Sequence, residues 1–118
     1  MLKIYTYKNC STCKKATQWL RTNGLTFDEH PIRDTPPTPA ELNAMLGYLE
    51  GNLRKLFNSS GQDYRDQGLK DRIASLTNEE AISLLSGNGN LIKRPFLLAD
   101  HAGTVGFKED IWRQLLLV

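Results

Sequence analysis

What this chain lacks narrows its class first. No apolar run approaches the roughly 18 residues of a membrane-spanning helix, and the opening MLKIYTYKN has no apolar core of the secretory kind. Charge is nearly balanced: 15 Lys and Arg against 13 Asp and Glu leave +2, too little to mark a nucleic-acid binder. Two cysteines cannot staple a disulfide-rich scaffold. Histidine is just as scarce. Structural zinc takes four ligands, only His30 and His101 are available to join the cysteines, and neither stands at metal-type spacing, so no metal site is expected. These absences leave a soluble, cytoplasmic protein whose 118 residues suit one hydrophobic core, expected to act as a monomer without membrane or nucleic-acid contacts.

What is present has an order. LKIYTY (2–7) is short, β-branched and aromatic, as a buried strand is. STCKKATQWLRTN (11–23) follows with Ala16, Trp19 and Leu20 at helical spacing and Gly24 placed to end the helix. LTFDEHPI (25–32) alternates like a second strand, making a right-handed parallel βαβ unit. The segment 38–86 then reads as wholly helical. Thr38, Pro39 and Glu41 form a capping box with proline at the first position, and Thr77 and Glu80 form another. LRKLFNSS (53–60) reads as a short helix closed by Gly61. IKRPFLLAD (92–100) and GTVGF (103–107) read as an antiparallel hairpin. KEDIWRQLLLV (108–118) closes as an amphipathic helix with Ile111, Trp112, Leu115 and Leu116 inward. The expected organisation is one domain, 1–118, with a core of 1–37 and 90–118 around a helical insert, 38–89.

The chemistry concentrates in KNCSTCKK (8–15), which holds both cysteines, Cys10 and Cys13. Cys10 falls where the first strand gives way to the first helix. The free N–H groups and dipole of a helix start favour negative charge on a thiol there. Lys8, Lys14 and Lys15 add positive potential where they point that way. Cys13, one turn on, is within reach for a disulfide, and a nucleophile with a second thiol three residues later is the arrangement thiol exchange uses. Cys13 can equally be a packing residue on the first turn. Arg94, next to Pro95, is a candidate to hold a thiolate, carboxylate or oxyanion by charge-assisted hydrogen bonds. Pro95 suits only the start or edge of a strand, and is a candidate cis residue.

The strand and helix order, CxxC at the first helix and proline before the third strand together resemble the thioredoxin-like fold: an α/β protein with a mixed four-stranded sheet. With the helical insert, YTYKNCSTCKKATQWL (5–20), IKRPFLL (92–98) and VGFKEDIWRQL (105–115) resemble the ArsC/Spx family across essentially the whole chain. That resemblance implies a cis Pro95 facing Cys10 and Arg94 close to the thiolate. Arsenate reductases of the family bind their oxyanion with three arginines. One matches Arg94, whereas the second falls at Asn58 and the third near Phe107, which weakens the case for arsenate as substrate. Spx-type regulators match at Cys10 and Cys13, used there as an oxidation switch, and bind the RNA polymerase α subunit through a surface whose glycine falls within a residue of Gly51. YffB-like members match at the hairpin and imply a glutathione-dependent thiol reductase. The resemblance thus favours a thiol-disulfide reductase: Cys10 as nucleophile, Cys13 as resolving thiol and Arg94 in support. Pro95, Lys8, Asn9 and Asn58 are candidates to contact substrate. No bound cofactor is expected; glutathione, a glutaredoxin or thioredoxin would supply electrons.

Overall fold

A computed structural model describes residues 2–117. Strand β1, Leu2–Thr6, is central in a four-stranded sheet of order β2-β1-β3-β4. It pairs in parallel with β2, Phe27–Pro31, and antiparallel with β3, Phe96–Leu98, which pairs antiparallel with β4, Gly103–Val105. The mixed sheet and thioredoxin-like class expected from sequence are therefore observed. Helix α1, Ser11–Thr22, links β1 to β2. Between β2 and β3 come α2 (Pro39–Tyr48), α3 (Gln62–Asp66), α4 (Leu69–Arg72), α5 (Asn78–Ser86) and three short 3₁₀ turns. Helix α6, Glu109–Leu116, ends the described chain; Val118, which the sequence reading placed in that helix, lies outside the described residues.

Alternation along β1 divides the core in two. Ile4, with Leu97 of β3, faces α1 and α6, packing with Ala16, Trp19, Leu20 and Trp112. Tyr5 and Phe96 face the other way, toward Leu42, Met45, Phe57 and Leu85. Helix α1 ends in a Schellman motif: Gly24, at φ +70°, donates to Arg21 O, and Leu25 donates to Leu20 O, both at 3.0 Å. Both predicted capping boxes form, Thr38 with Glu41 and Thr77 with Glu80. Glu41 does more than cap α2. Its carboxylate accepts from Tyr5 Oη at 2.6 Å and pairs with Lys3 Nζ at 2.8 Å, tying that helix to the central strand. Burial alone would push its carboxyl up, but the bonds from Lys3, Tyr5 and the Thr38 backbone outweigh burial and hold it below the usual range.

Four expectations need correction. Residues 53–60 are not one helix: a 3₁₀ turn, Leu53–Leu56, gives way to Phe57, which bridges to Ile92. Gly61 opens α3 instead of closing a helix. The third strand is only Phe96–Leu98, because residues before Pro95 pair elsewhere: Lys93 N–H donates to Leu56 O at 2.7 Å and Asn58 N–H to Leu91 O at 2.8 Å. Finally, Ile111 and Leu115 are 37% and 38% exposed, while Trp112 is fully buried. Helix α6 packs through Trp112 and Leu116 on the face shared with α1, and its flank overhangs the edge strand β4, beyond which no strand lies among the described residues. No helix among the described residues is long and apolar enough to cross a membrane.

Candidate active site at the end of the first strand

The registers of β1 decide what meets Tyr7, three residues before Cys10. Tyr5 pairs with Phe96, so β3 begins beside the end of β1, with Pro95 and Arg94 immediately before it. On the other side Thr6 pairs with Pro31, and Ile32 N–H donates to Thr6 O at 2.8 Å, which delivers Arg33 to the same place. Both guanidiniums contact the Tyr7 ring, Arg33 at 4.6 Å and Arg94 at 4.8 Å from its centroid. The Arg94–Pro95 peptide bond is cis. The chain then turns, Cys10 N–H donating to Tyr7 O at 3.0 Å, and enters α1 with Cys10 at the N-cap.

Cys10 Sγ accepts the Cys13 backbone N–H at 3.2 Å, so sulfur takes the place an oxygen acceptor fills at most helix starts. Both cysteines are free thiols; Cys10 is half-buried and Cys13 buried, at 2% exposure. Burial pushes the Cys13 thiol up to about 12, and its hydrogen bond with the Cys10 side chain adds to this; a backbone bond from Tyr7 and the Arg94 charge oppose it without reversing it. The arrangement is asymmetric: one accessible sulfur at a helix start, and one sequestered sulfur held as a neutral thiol beside it.

The other residues singled out by sequence separate into two groups. Lys8 and Asn9 are exposed and line a groove with Tyr7 and Arg33 beside Cys10. Asn58 lines a small cavity of about 220 Å³ with Tyr7, Arg33, Asp63, Asn90 and Arg94. Gly51 lies apart from these, in the turn after α2, and its neighbours Tyr48, Glu50 and Asn52 line a groove against Gly103, Ile111 and Leu115. Phe107 is not at the thiols: it packs edge-on against Trp112 at 4.9 Å and against Trp19 at 6.1 Å. Of the histidines, His30 lies in β2 against Tyr5 at 5.3 Å, and His101 lies in the β3–β4 link. Among the described residues no three His, Cys, Asp or Glu side chains gather as a metal site would require.

Sequence reasoning missed Arg33 and Tyr7. A signal was there to be read: Arg33 follows the end of a strand parallel to β1, and in such sheets ligands collect at the carboxyl ends of parallel strands.

A mixed sheet flanked by helices, with CxxC opening the first helix and a cis X-Pro bond before the third strand, defines a thioredoxin-like thiol redox protein. Comparison with known proteins makes the class specific: the ArsC family model matches residues 5–115, and the chain belongs to that family. The uncharacterized protein YusI of Bacillus subtilis is 40% identical over 92% of this chain and 92% of its own. A crystal structure of an ArsC family related protein from Bacteroides fragilis superposes with a TM-score of 0.91 at 37% identity, covering 97% of this chain and 96% of that one. The global transcriptional regulator Spx of Streptococcus mutans is 29% identical over 98% of this chain and 83% of its own.

The raised Cys13 thiol has a consequence for stability. An unfolded cysteine titrates near about 8.5, and the folded value lies above that, so the unfolded chain loses its proton first as pH rises. The contribution is complete below about 8.5 and disappears as pH climbs toward about 12. Denaturant midpoints of the reduced protein should fall through that window, and Cys13→Ala should flatten the fall relative to wild type. An identical pH profile for the variant would contradict the assignment.

Proposed function

We propose that this protein is a thiol-disulfide reductase of the cytoplasm, where two free thiols persist reduced. The observation that carries the reading is the pair itself: Cys10 Sγ at the start of α1 accepting the Cys13 N–H at 3.2 Å, with the Cys13 thiol one turn on and in hydrogen-bond contact with it. Cys10, as thiolate, attacks one sulfur of a substrate disulfide. A Cys10–substrate S–S bond forms, the original S–S bond breaks, and the departing thiolate takes a proton from solvent. Cys13 then gives up its proton and attacks Cys10 sulfur, closing the Cys10–Cys13 disulfide and releasing the second substrate thiol. Two electrons have passed to substrate. Glutathione, a glutaredoxin or thioredoxin returns them. Arg94, whose charge already reaches Cys13, stabilises the thiolate stages, and the backbone beside Pro95 seats the substrate chain. One chain holds every group the cycle needs, so a monomer suffices.

A second reading has its own support: the dithiol as a sensor in a Spx-type regulator that docks on the RNA polymerase α subunit. The Spx relative aligns with nearly the whole chain. Beside Gly51, Tyr48, Ile111 and Leu115 stand 40%, 37% and 38% exposed in one groove. Arsenate reduction through Cys10 has less to favour it, since Arg94 alone keeps one of the three oxyanion arginines and Phe107 lies in an aromatic cluster.

With a mixed disulfide of glutathione as substrate, wild type should turn over with glutathione, glutaredoxin or thioredoxin as donor. Cys10→Ser should abolish turnover. Cys13→Ser should lose it with thioredoxin but keep a part with glutathione, which supplies the resolving thiol from solution. Turnover surviving in Cys10→Ser would sink the reductase reading. For the regulator reading, a pull-down should retain the α subunit in one redox state and release it on Gly51→Arg; no retention in either state excludes it.

A further inference from the structure

Two guanidiniums from strands on either side of β1 converge on one tyrosine, and only one of them belongs to the expected site. The donors and acceptors around Tyr7 do not balance. Its Oη accepts from Arg33 Nη1 at 2.7 Å and from Asn9 Nδ2 at 3.3 Å, which fills both lone pairs and leaves the phenol its proton to donate. Arg94 Nη1 is buried with no hydrogen-bond partner. An unpaired buried guanidinium nitrogen is costly unless something else completes it. Tyr7 and Arg94 line one cavity with Arg33, Asn58, Asp63 and Asn90. The Tyr7 proton and the Arg94 nitrogen are unused donors that an acceptor would complete, and two guanidiniums against one carboxylate favour an anion.

The cavity also sets how much charge it takes. Asp63 is its one lining carboxylate, and its Oδ2 accepts from Asn88 Nδ2 at 3.0 Å and Asn90 Nδ2 at 3.2 Å. Those bonds keep it ionised, with the Arg33 charge helping. Two arginines less one aspartate leave a single positive charge, matched to a monoanion. Position matters as well. Gly89 packs so tightly that a Cβ there would overlap the Ile32 carbonyl, lying 2.7 Å from Ile32 C and 3.1 Å from Arg33 Cα. Arg33 is thus braced from behind although its side chain is exposed.

We propose that Tyr7, Arg33 and Arg94 form a clamp for one carboxylate of the substrate thiol, so that this site selects carboxylate-bearing thiol adducts, of which glutathione adducts are the nearest example, and discriminates against dianionic oxyanions. The proposal rests on the thiol-reductase reading and names its substrate class. Arg33 is a specificity residue in it, acting on the ligand directly and through Tyr7.

The test is binding, so that it does not depend on turnover. Cys10→Ser protein is titrated with S-methylglutathione and with its dimethyl ester, followed by the amide shifts of Tyr7, Arg33 and Asn58. The acid should bind about tenfold more tightly than the ester, as charge-assisted bonds allow. Adding Arg33→Gln should bring the acid to the ester's level, and Arg33→Lys should restore part of the preference. Asp63→Asn should let inorganic phosphate displace S-methylglutathione at concentrations about tenfold lower, since the cavity then carries one more net positive charge. Equal affinity for acid and ester, or no binding of either, overturns the clamp. So does an Arg33→Gln variant that weakens both alike, which would make Arg33 merely structural. A missing preference alongside wild-type reduction of mixed disulfides removes the clamp and leaves the reductase reading standing; a clear preference without turnover does the reverse.

Discussion

Everything at the candidate site hangs on how β1 is paired. A strand at the centre of a sheet has its end fixed from two sides, and here the two neighbours run in opposite directions relative to it. The parallel partner leaves the sheet at the end where β1 leaves it, carrying Arg33. The antiparallel partner enters there, carrying Arg94 and Pro95. Cys10 follows three residues after Tyr7, and the N-cap of α1 fixes its sulfur against the Cys13 N–H. A slip of one residue in either pairing would flip Tyr7 to the other face and part it from an arginine. The tie between Glu41, Tyr5 and Lys3 secures the same strand to α2, so the first helix of the central segment also holds β1 in place.

Burial sets the two thiols apart. Cys10 is half-buried and accepts a backbone N–H; Cys13 is buried, and burial holds its sulfur protonated. A resolving thiol of that kind attacks slowly at neutral pH and faster as pH rises, since only its thiolate is nucleophilic. In the proposed cycle the mixed disulfide on Cys10 is then the longer-lived intermediate, which would give solution glutathione time to compete with Cys13. This is why the electron donor and the role of Cys13 are one question and not two.

Much of this was legible in the sequence, and for local reasons. Capping boxes at Thr38 and Thr77, the strand-to-helix junction at Cys10 and the proline before β3 are signatures carried by a few adjacent residues, and all lie where the local pattern put them. The resemblance of three ordered motifs then supplied the sheet topology. What stayed hidden depends on distant pairing. Arg33 reads as a polar residue after a strand until the β1–β2 register sets it against Tyr7. The bridge of Phe57 to Ile92 interrupts what composition alone made helical. Ile111 and Leu115 follow the helical period correctly, yet α6 has only one neighbour face to bury, and the period cannot say where the sheet stops.

The most direct measurement is a cysteine map by mass spectrometry. Reduced protein is exposed to limiting oxidised glutathione at mildly alkaline pH, quenched in acid at intervals and digested. The account predicts a glutathione adduct on Cys10 first, giving way to a Cys10–Cys13 disulfide with loss of two hydrogens. An adduct that forms first on Cys13, or one that persists on Cys10 while Cys13 remains a free thiol, would contradict it.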